Sequence, residues 1–99
     1  MLEVAAEPTR RRLLQLLASG ECTVTQLASR FPVTRSAISQ HLAILADVGL
    51  VSARKRGRER YYRLDGEGMR RLREMFESFW SSELDRLVAD ATRPRQKET

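Results

Sequence analysis

The stretch VTRSAISQHLAILADVG, residues 33 to 49, combines the apolar spacing of a helix with a face of small polar side chains. Thr34 is a good N-cap for this helix, and Gly49 is a good terminator. The apolar residues recur at steps of four and three, so they share one face: Ile38, Leu42 and Leu45. The opposite face contains neither Glu nor Lys, which is unusual for a face that only meets water.

A shorter helix is predicted just before this stretch, with Thr23 as its N-cap and Phe31-Pro32 closing it. The brief connection between the two helices is typical of a helix-turn-helix unit. In such units the second helix enters the major groove of DNA, and its N-terminal residues reach base edges. The pair of helices, at about residues 24–48, therefore predicts a DNA-reading unit.

The polar face of the second helix carries residue types that suit base recognition, because Gln can pair with adenine, Arg with guanine and Ser with bases or phosphates. The predicted base-reading residues are Arg35, Ser36, Ser39 and Gln40. The predicted contacts to the DNA backbone come from Thr25, Gln26, Thr34 and His41. His41 lies at the edge of the apolar stripe, and two interpretations stay open, a structural histidine and a phosphate donor.

The next stretch, LVSARKRGRERYYRL at residues 50–64, changes to the period of two that is typical of strands, with Gly57 in the turn. Its tip concentrates positive charge, which favours contact with a polyanion over a merely solubilising turn. We expect this hairpin to be a wing that contacts DNA through Arg54, Lys55, Arg56, Arg58, Arg60 and Tyr61.

A long helix is predicted over about residues 66–91, with apolar residues at steps of three and four. A stripe of this length is too long for a small domain to cover, and exposed apolar patches of that size mark interaction sites. Two-fold pairing with a second copy is the simplest cover, and packing back on the same domain is the alternative. The predicted dimer interface is Leu2, Val4, Met69, Leu72, Phe76, Phe79, Trp80, Leu84 and Leu87.

The bulk composition agrees with these features. The 99 residues carry a net charge of +5 with a pI near 10.3, which favours nucleic acid as a partner. The single cysteine, Cys22, suits a reducing cytoplasm, and the sequence has no membrane-spanning run and no signal-peptide pattern. One His and one Cys far apart, without a Gly-rich phosphate loop, indicate neither an enzyme nor a cofactor site.

The predicted fold class is thus mainly α, a winged helix-turn-helix in the order α-α-α-α-β-β-α with a long C-terminal dimerisation helix. Residues 1–92 form one domain, and residues 93–99 form a polar tail.

Three segments resemble the ArsR/SmtB family of bacterial winged-helix regulators: EPTRRRLLQLL (7–17), TVTQLASRFPVTRSAISQHLAILADVGLV (23–51) and RYYRL (60–64). The most specific part is SAISQHLAILADVGLV, an S-x-x-S-x-H-L pattern followed by L-x-x-x-G-L-V. The resemblance implies a cytoplasmic homodimeric transcriptional repressor. Such a protein binds inverted repeats in double-stranded DNA, not a membrane, and is released by an inducer whose identity the sequence leaves open.

The sequence departs from the family pattern at the usual metal sites. Thr23 and Thr25 occupy the positions of the family's Cys-Val-Cys set, and the last helix contains no His, so no metal site is predicted. The chain resembles the branch of the family without these ligands. Two alternatives to constitutive repression stay open, a sensor that reads its signal at Cys22 or at the aromatic cluster Phe76, Phe79 and Trp80, and a protein-interaction module that has lost DNA binding.

Overall fold

The computed structural model describes residues 1–94. Within them lie five helices and three strands: α1 (Leu2–Ala6), α2 (Pro8–Leu17), β1 (Cys22–Thr23), α3 (Val24–Ala28), α4 (Arg35–Asp47), β2 (Val51–Arg56), β3 (Glu59–Leu64) and α5 (Gly66–Thr92). The predicted fold class, a mainly α winged helix-turn-helix with a long C-terminal helix, is confirmed. The predicted polar tail lies outside the described residues from position 95 onward.

The sheet contains a strand that the predicted order α-α-α-α-β-β-α omits. It has three antiparallel strands in the order β1-β3-β2, and β1 pairs Cys22 with Tyr62 and Thr23 with Tyr61. A strand of two residues has no periodicity of its own, and its partner lies about forty positions further along the chain. The strand fastens the base of the wing to the start of α3.

One apolar cluster joins the helix-turn-helix to the sheet. The apolar face predicted for α4 is fully buried, as is Leu50 at the start of the hairpin. Burying a leucine or isoleucine side chain contributes about 1.5–3 kcal/mol, so this cluster holds α4 firmly in place. Its members are Leu13, Leu14, Leu17, Leu27, Ile38, Leu42, Leu45, Leu50, Val51 and Tyr62.

Helix α5 is anchored at its first turns and then leaves the domain. The backbone N–H of Asp65 donates to the carbonyl of Leu50 (2.9 Å), and Met69 and Leu72 pack against the core. Beyond Leu72 the large apolar side chains are exposed. The radius of gyration is 18.9 Å, whereas a compact domain of this length has about 13 Å. The projecting helix therefore accounts for the elongated shape.

Candidate nucleic-acid interface

The start of α4 is fixed by the side chain of Thr34, whose hydroxyl oxygen accepts a hydrogen bond from the backbone N–H of Ala37 (3.0 Å). With Ile38, Leu42 and Leu45 inaccessible to solvent, the rotation of the helix about its axis is fixed. The face that turns outward is exposed at every residue predicted to read bases: Arg35, Ser36, Ser39 and Gln40.

Helix α3 begins with a reciprocal capping arrangement. The hydroxyl oxygen of Thr23 accepts from the backbone N–H of Gln26 (3.1 Å), and the side-chain oxygen of Gln26 accepts from the backbone N–H of Thr23 (2.8 Å). The sequence predicts the Thr23 cap but gives Gln26 only a role in DNA contact. Its side-chain oxygen already accepts a hydrogen bond in the cap, so only its side-chain NH2 group is left to donate to a phosphate. Thr25 is exposed beside it.

The wing is a two-residue hairpin in which Arg56 pairs with Glu59 across the turn. Gly57 occupies the first turn position with φ of +64°, a backbone conformation that glycine adopts without strain. The charged side chains of the wing are all exposed, whereas Tyr61 is half-buried. The hairpin thus extends its basic residues away from the core.

Two of the wing arginines are held by contacts within the chain. Arg54 forms an ion pair with Glu21 (2.9 Å), and the guanidinium of Arg56 lies 5.2 Å from the centre of the Tyr61 ring. Over residues 1–94, no acidic group lies within ion-pair distance of the other wing cations: Lys55, Arg58 and Arg60. Their charges are free to meet a polyanion.

A small cleft of about 150 Å³ joins the wing to the helix-turn-helix. Its lining combines three arginines with only one acidic residue, and it includes the beginning of α3. The cleft therefore brings together one predicted backbone contact, Thr25, one predicted base reader, Arg35, and two wing residues, Arg58 and Arg60. The rest of its lining was not assigned to DNA contact: Thr23, Val24 and Glu59.

His41 lies on the side of α4 that faces α2. Its Nδ1 is 3.2 Å from Nη1 of Arg10 and 3.6 Å from Oε2 of Glu7. Three-quarters of the side chain is buried. The structural interpretation of His41 is therefore supported, and the phosphate interpretation stays a prediction. Glu7 and Arg10 escaped sequence reasoning because a contact across 31 positions leaves no local signal.

The residues predicted for the dimer interface form two groups. Val4, Met69 and Leu72 pack against the core, and Leu2 lines apolar grooves beside α5. The remainder are 41–52% exposed, which is high for such large apolar side chains: Phe76, Phe79, Trp80, Leu84 and Leu87. Trp80 makes edge-to-face contacts with both Phe76 and Phe79, with ring-centre distances of 6.0 and 5.7 Å. Met75 and Val88, which the predicted dimer interface does not include, are exposed as well.

The described residues, 1–94, contain no group of three His, Cys, Asp or Glu side chains placed to hold a metal ion. Cys22 is a free thiol, half-buried in β1, with its sulfur 3.7 Å from the carbonyl of Gly20. Over the same residues, no helix has the length and apolar character needed to cross a bilayer.

A helix-turn-helix with an exposed polar recognition face and an adjoining basic wing defines a winged-helix DNA-binding protein. Comparison with known proteins gives the family. The family described as "Bacterial regulatory protein, arsR family" matches residues 7–53. The chain belongs to the ArsR family, and it is a DNA-binding transcriptional regulator.

Individual relatives agree with this assignment. The HTH-type transcriptional regulator Rv2034 of Mycobacterium tuberculosis is 40% identical over 82 residues, which cover 83% of this chain and 77% of the relative. The transcriptional repressor SdpR of Bacillus subtilis is 34% identical over 66% of this chain and 72% of its own length. A crystal structure described as a possible transcriptional regulator for arsenical resistance is 68% identical, with a TM-score of 0.81 over 93% of this chain and 96% of the other.

Proposed function

We propose that the protein is a homodimeric, cytoplasmic repressor that recognises an inverted repeat in double-stranded DNA. The observation that carries this proposal is the exposed polar face of α4 beside a cleft that contains Arg35, Arg58 and Arg60. Short side chains on that face allow the helix backbone to approach base edges closely. The names of relatives such as SdpR, a transcriptional repressor, favour repression.

Base reading is assigned to Arg35, Ser36, Ser39 and Gln40, and anchoring to the wing. A bidentate contact between a side chain and a base is worth about 1–3 kcal/mol of discrimination. Phosphate contacts contribute affinity without sequence preference, and each one lost reduces the salt dependence of binding by about one counterion. The two groups of residues therefore leave different signatures in a binding experiment.

The experiment compares Gln40→Ala with Arg58→Ala on the operator and on operators changed at single base pairs. Gln40→Ala is expected to lose about 5–150-fold in affinity for the operator and to tolerate base changes at one position. Arg58→Ala is expected to weaken binding to every duplex alike, with a slope of log K against log salt that is lower by about one. Gln15→Ala and Arg12→Ala, at exposed positions of α2, are the matched controls. If the two test variants behave identically, the division into reading and anchoring is wrong.

Dimerisation is assigned to α5. The apolar stripe from Phe76 to Leu87 is about half exposed in one copy, and the same stripe on a second copy would cover the exposed part. The resulting pair would present two copies of α4 to the two halves of an inverted repeat.

Light scattering tests the dimer directly, because the chain has a mass of 11.4 kDa. The wild-type protein is expected at twice this mass, and Trp80→Glu at the single mass, because the substitution places a charge in the middle of the stripe. Ser81→Glu places the same charge about 100° further round the helix and is expected to leave the dimer intact. If Trp80→Glu is still a dimer, the assignment of the dimer interface to α5 is wrong.

A further inference from the structure

The beginning of α2 touches the recognition helix through two charged residues that sequence reasoning did not assign. Nη1 of Arg10 is 3.2 Å from Nδ1 of His41, and Oε2 of Glu7 is 3.6 Å from the same nitrogen. Arg10 is itself held, because its Nε donates to the carbonyl of Val4 (2.7 Å) and its side chain is only 16% exposed. A chain of contacts therefore runs from α1 through α2 to α4.

The chemistry of this contact determines which ring nitrogen carries the proton. A guanidinium keeps all its hydrogens and can only donate, so a contact of 3.2 Å requires a lone pair on Nδ1 of His41. A proton on Nδ1 would set two donors against each other. The carboxylate of Glu7 is the group that could attract such a proton, but its Oε2 lies 3.6 Å from Nδ1, beyond hydrogen-bond distance, and accepts instead from the backbone N–H of Arg10 (3.0 Å).

The other ring nitrogen of His41 then carries the hydrogen and faces water. The hydrogen bond of the ring within residues 1–94 is made by Nδ1. Over the same residues, no buried side-chain nitrogen or oxygen lacks a partner, so Nε2 must be accessible to solvent. An accessible N–H on the recognition helix is a donor available to an oxygen anion.

We propose that Arg10 is a positioning residue for DNA binding, which keeps the proton of the His41 ring on Nε2 so that this N–H donates to a phosphate of the DNA backbone. This inference rests on the proposed function, since it assumes that α4 lies in the groove. It resolves the two roles predicted for His41 into one: Nδ1 has the structural role, and Nε2 has the role in binding.

The tautomer is measured first and without DNA. His41 is the only histidine of the sequence, so a nitrogen-15 spectrum of the imidazole needs no assignment. The wild-type protein is expected to show a protonated Nε2 and an unprotonated Nδ1, and Arg10→Met is expected to show a mixture of the two tautomers. A wild-type ring with its proton on Nδ1 would overturn the proposal.

Binding variants then test whether Arg10 acts through His41. His41→Ala is expected to weaken operator binding by about 10-fold, which is typical of a hydrogen bond to a charged group. Arg10→Met is expected to weaken it by a smaller factor, about 2-fold for an even mixture of the two tautomers, because only the fraction with its proton on Nε2 can donate. The double variant should be no weaker than His41→Ala. The salt slope should stay unchanged, because the contact that is lost is a hydrogen bond from the ring and not the charge of a Lys or Arg side chain on a phosphate. Arg11→Met, at the exposed neighbouring position, is the control.

His41→Gln supplies the rescue, because an amide N–H at the end of the glutamine side chain can take the place of Nε2–H without help from Arg10. In this background Arg10→Met is expected to cause no further loss, which also shows that Arg10→Met still folds. An equal loss in both backgrounds would overturn the positioning role. Failure of the wild-type protein to bind any duplex specifically would instead refute the proposed function, while the spectrum would still decide the tautomer.

Discussion

Gly68 sits where α5 crosses the end of α4, and replacing it with alanine should loosen the attachment of the long helix. A Cβ built on Gly68 would lie 1.8 Å from the carbonyl oxygen of Gly49 and 2.7 Å from its carbon. Because Cβ contacts under 3.0 Å are essentially never found, the two segments must separate by about 1.2 Å. Gly49 has little room to adjust, since its φ of +80° is fixed by the turn between α4 and β2.

Overpacking of this kind costs about 1–3 kcal/mol, and the better helix propensity of alanine returns at most about 1 kcal/mol. The obstacle is backbone rather than a flexible side chain, so we expect Gly68→Ala to lose about 2 kcal/mol of unfolding free energy. For a domain of this size that lowers Tm by roughly 8 °C or more.

Thermal unfolding at one fixed protein concentration is the assay, because the melting temperature of an oligomer depends on concentration. Gly66→Ala is the matched control: it lies two residues earlier, a Cβ there meets no atom within 4 Å, and its stability should be unchanged or slightly higher. If Gly68→Ala and Gly66→Ala have the same melting temperature, α5 does not lie as close to Gly49 as the short Cβ distances require.

Two further substitutions test the caps of the helices beside the recognition helix. Thr23→Ala should lose about 1 kcal/mol in urea unfolding, while Thr25→Ala should lose almost nothing, and equal losses would contradict the capping role. Backbone N–H donation, chiefly from Arg10, lowers the pKa of Glu7 below its usual 4.5. Its contribution to stability is therefore complete above that value and is lost as the pH falls through the lowered pKa. Glu7→Gln should have a lower unfolding free energy than the wild type at pH 7, and this difference should shrink as the pH falls into the acid range. A difference that does not change with pH would contradict this role of Glu7.

Much of the fold could be predicted from local patterns in the sequence. The helix of residues 33–49 was predictable because Thr34 caps it, its apolar residues keep a helical period and Gly49 ends it, and each of these signals lies within a few positions. The hairpin was predictable for the same reason, since Gly57 interrupts an alternating pattern. Such signals need no knowledge of the rest of the chain.

The features that escaped prediction all depend on distant partners. Strand β1 exists because Cys22 and Thr23 pair with β3. The contact of Arg10 with His41 spans 31 positions, and the packing of Gly68 against Gly49 requires the whole hairpin between them. None of these has a pattern within a window of sequence, because tertiary contact rather than propensity determines them.

In the candidate interface, too, the local features could be predicted and those that depend on distant contacts could not. The exposed face of α4 could be predicted, because the apolar spacing of the helix shows which face is buried. The cleft that combines Arg35 with Arg58 and Arg60 could not be predicted, because only the folded chain brings the wing next to the helix-turn-helix. The aromatic stripe of α5 was recognisable as too large to bury, although the sequence could not show that exposure begins beyond Leu72.

The most direct test is a binding titration with the duplex from upstream of the protein's own gene, against a scrambled duplex, at several salt concentrations. We expect at least 10³-fold preference for the specific duplex and an affinity that falls steeply with salt. Equal affinity for the scrambled duplex would contradict base reading by α4, and affinity that does not change with salt would contradict phosphate binding by the wing.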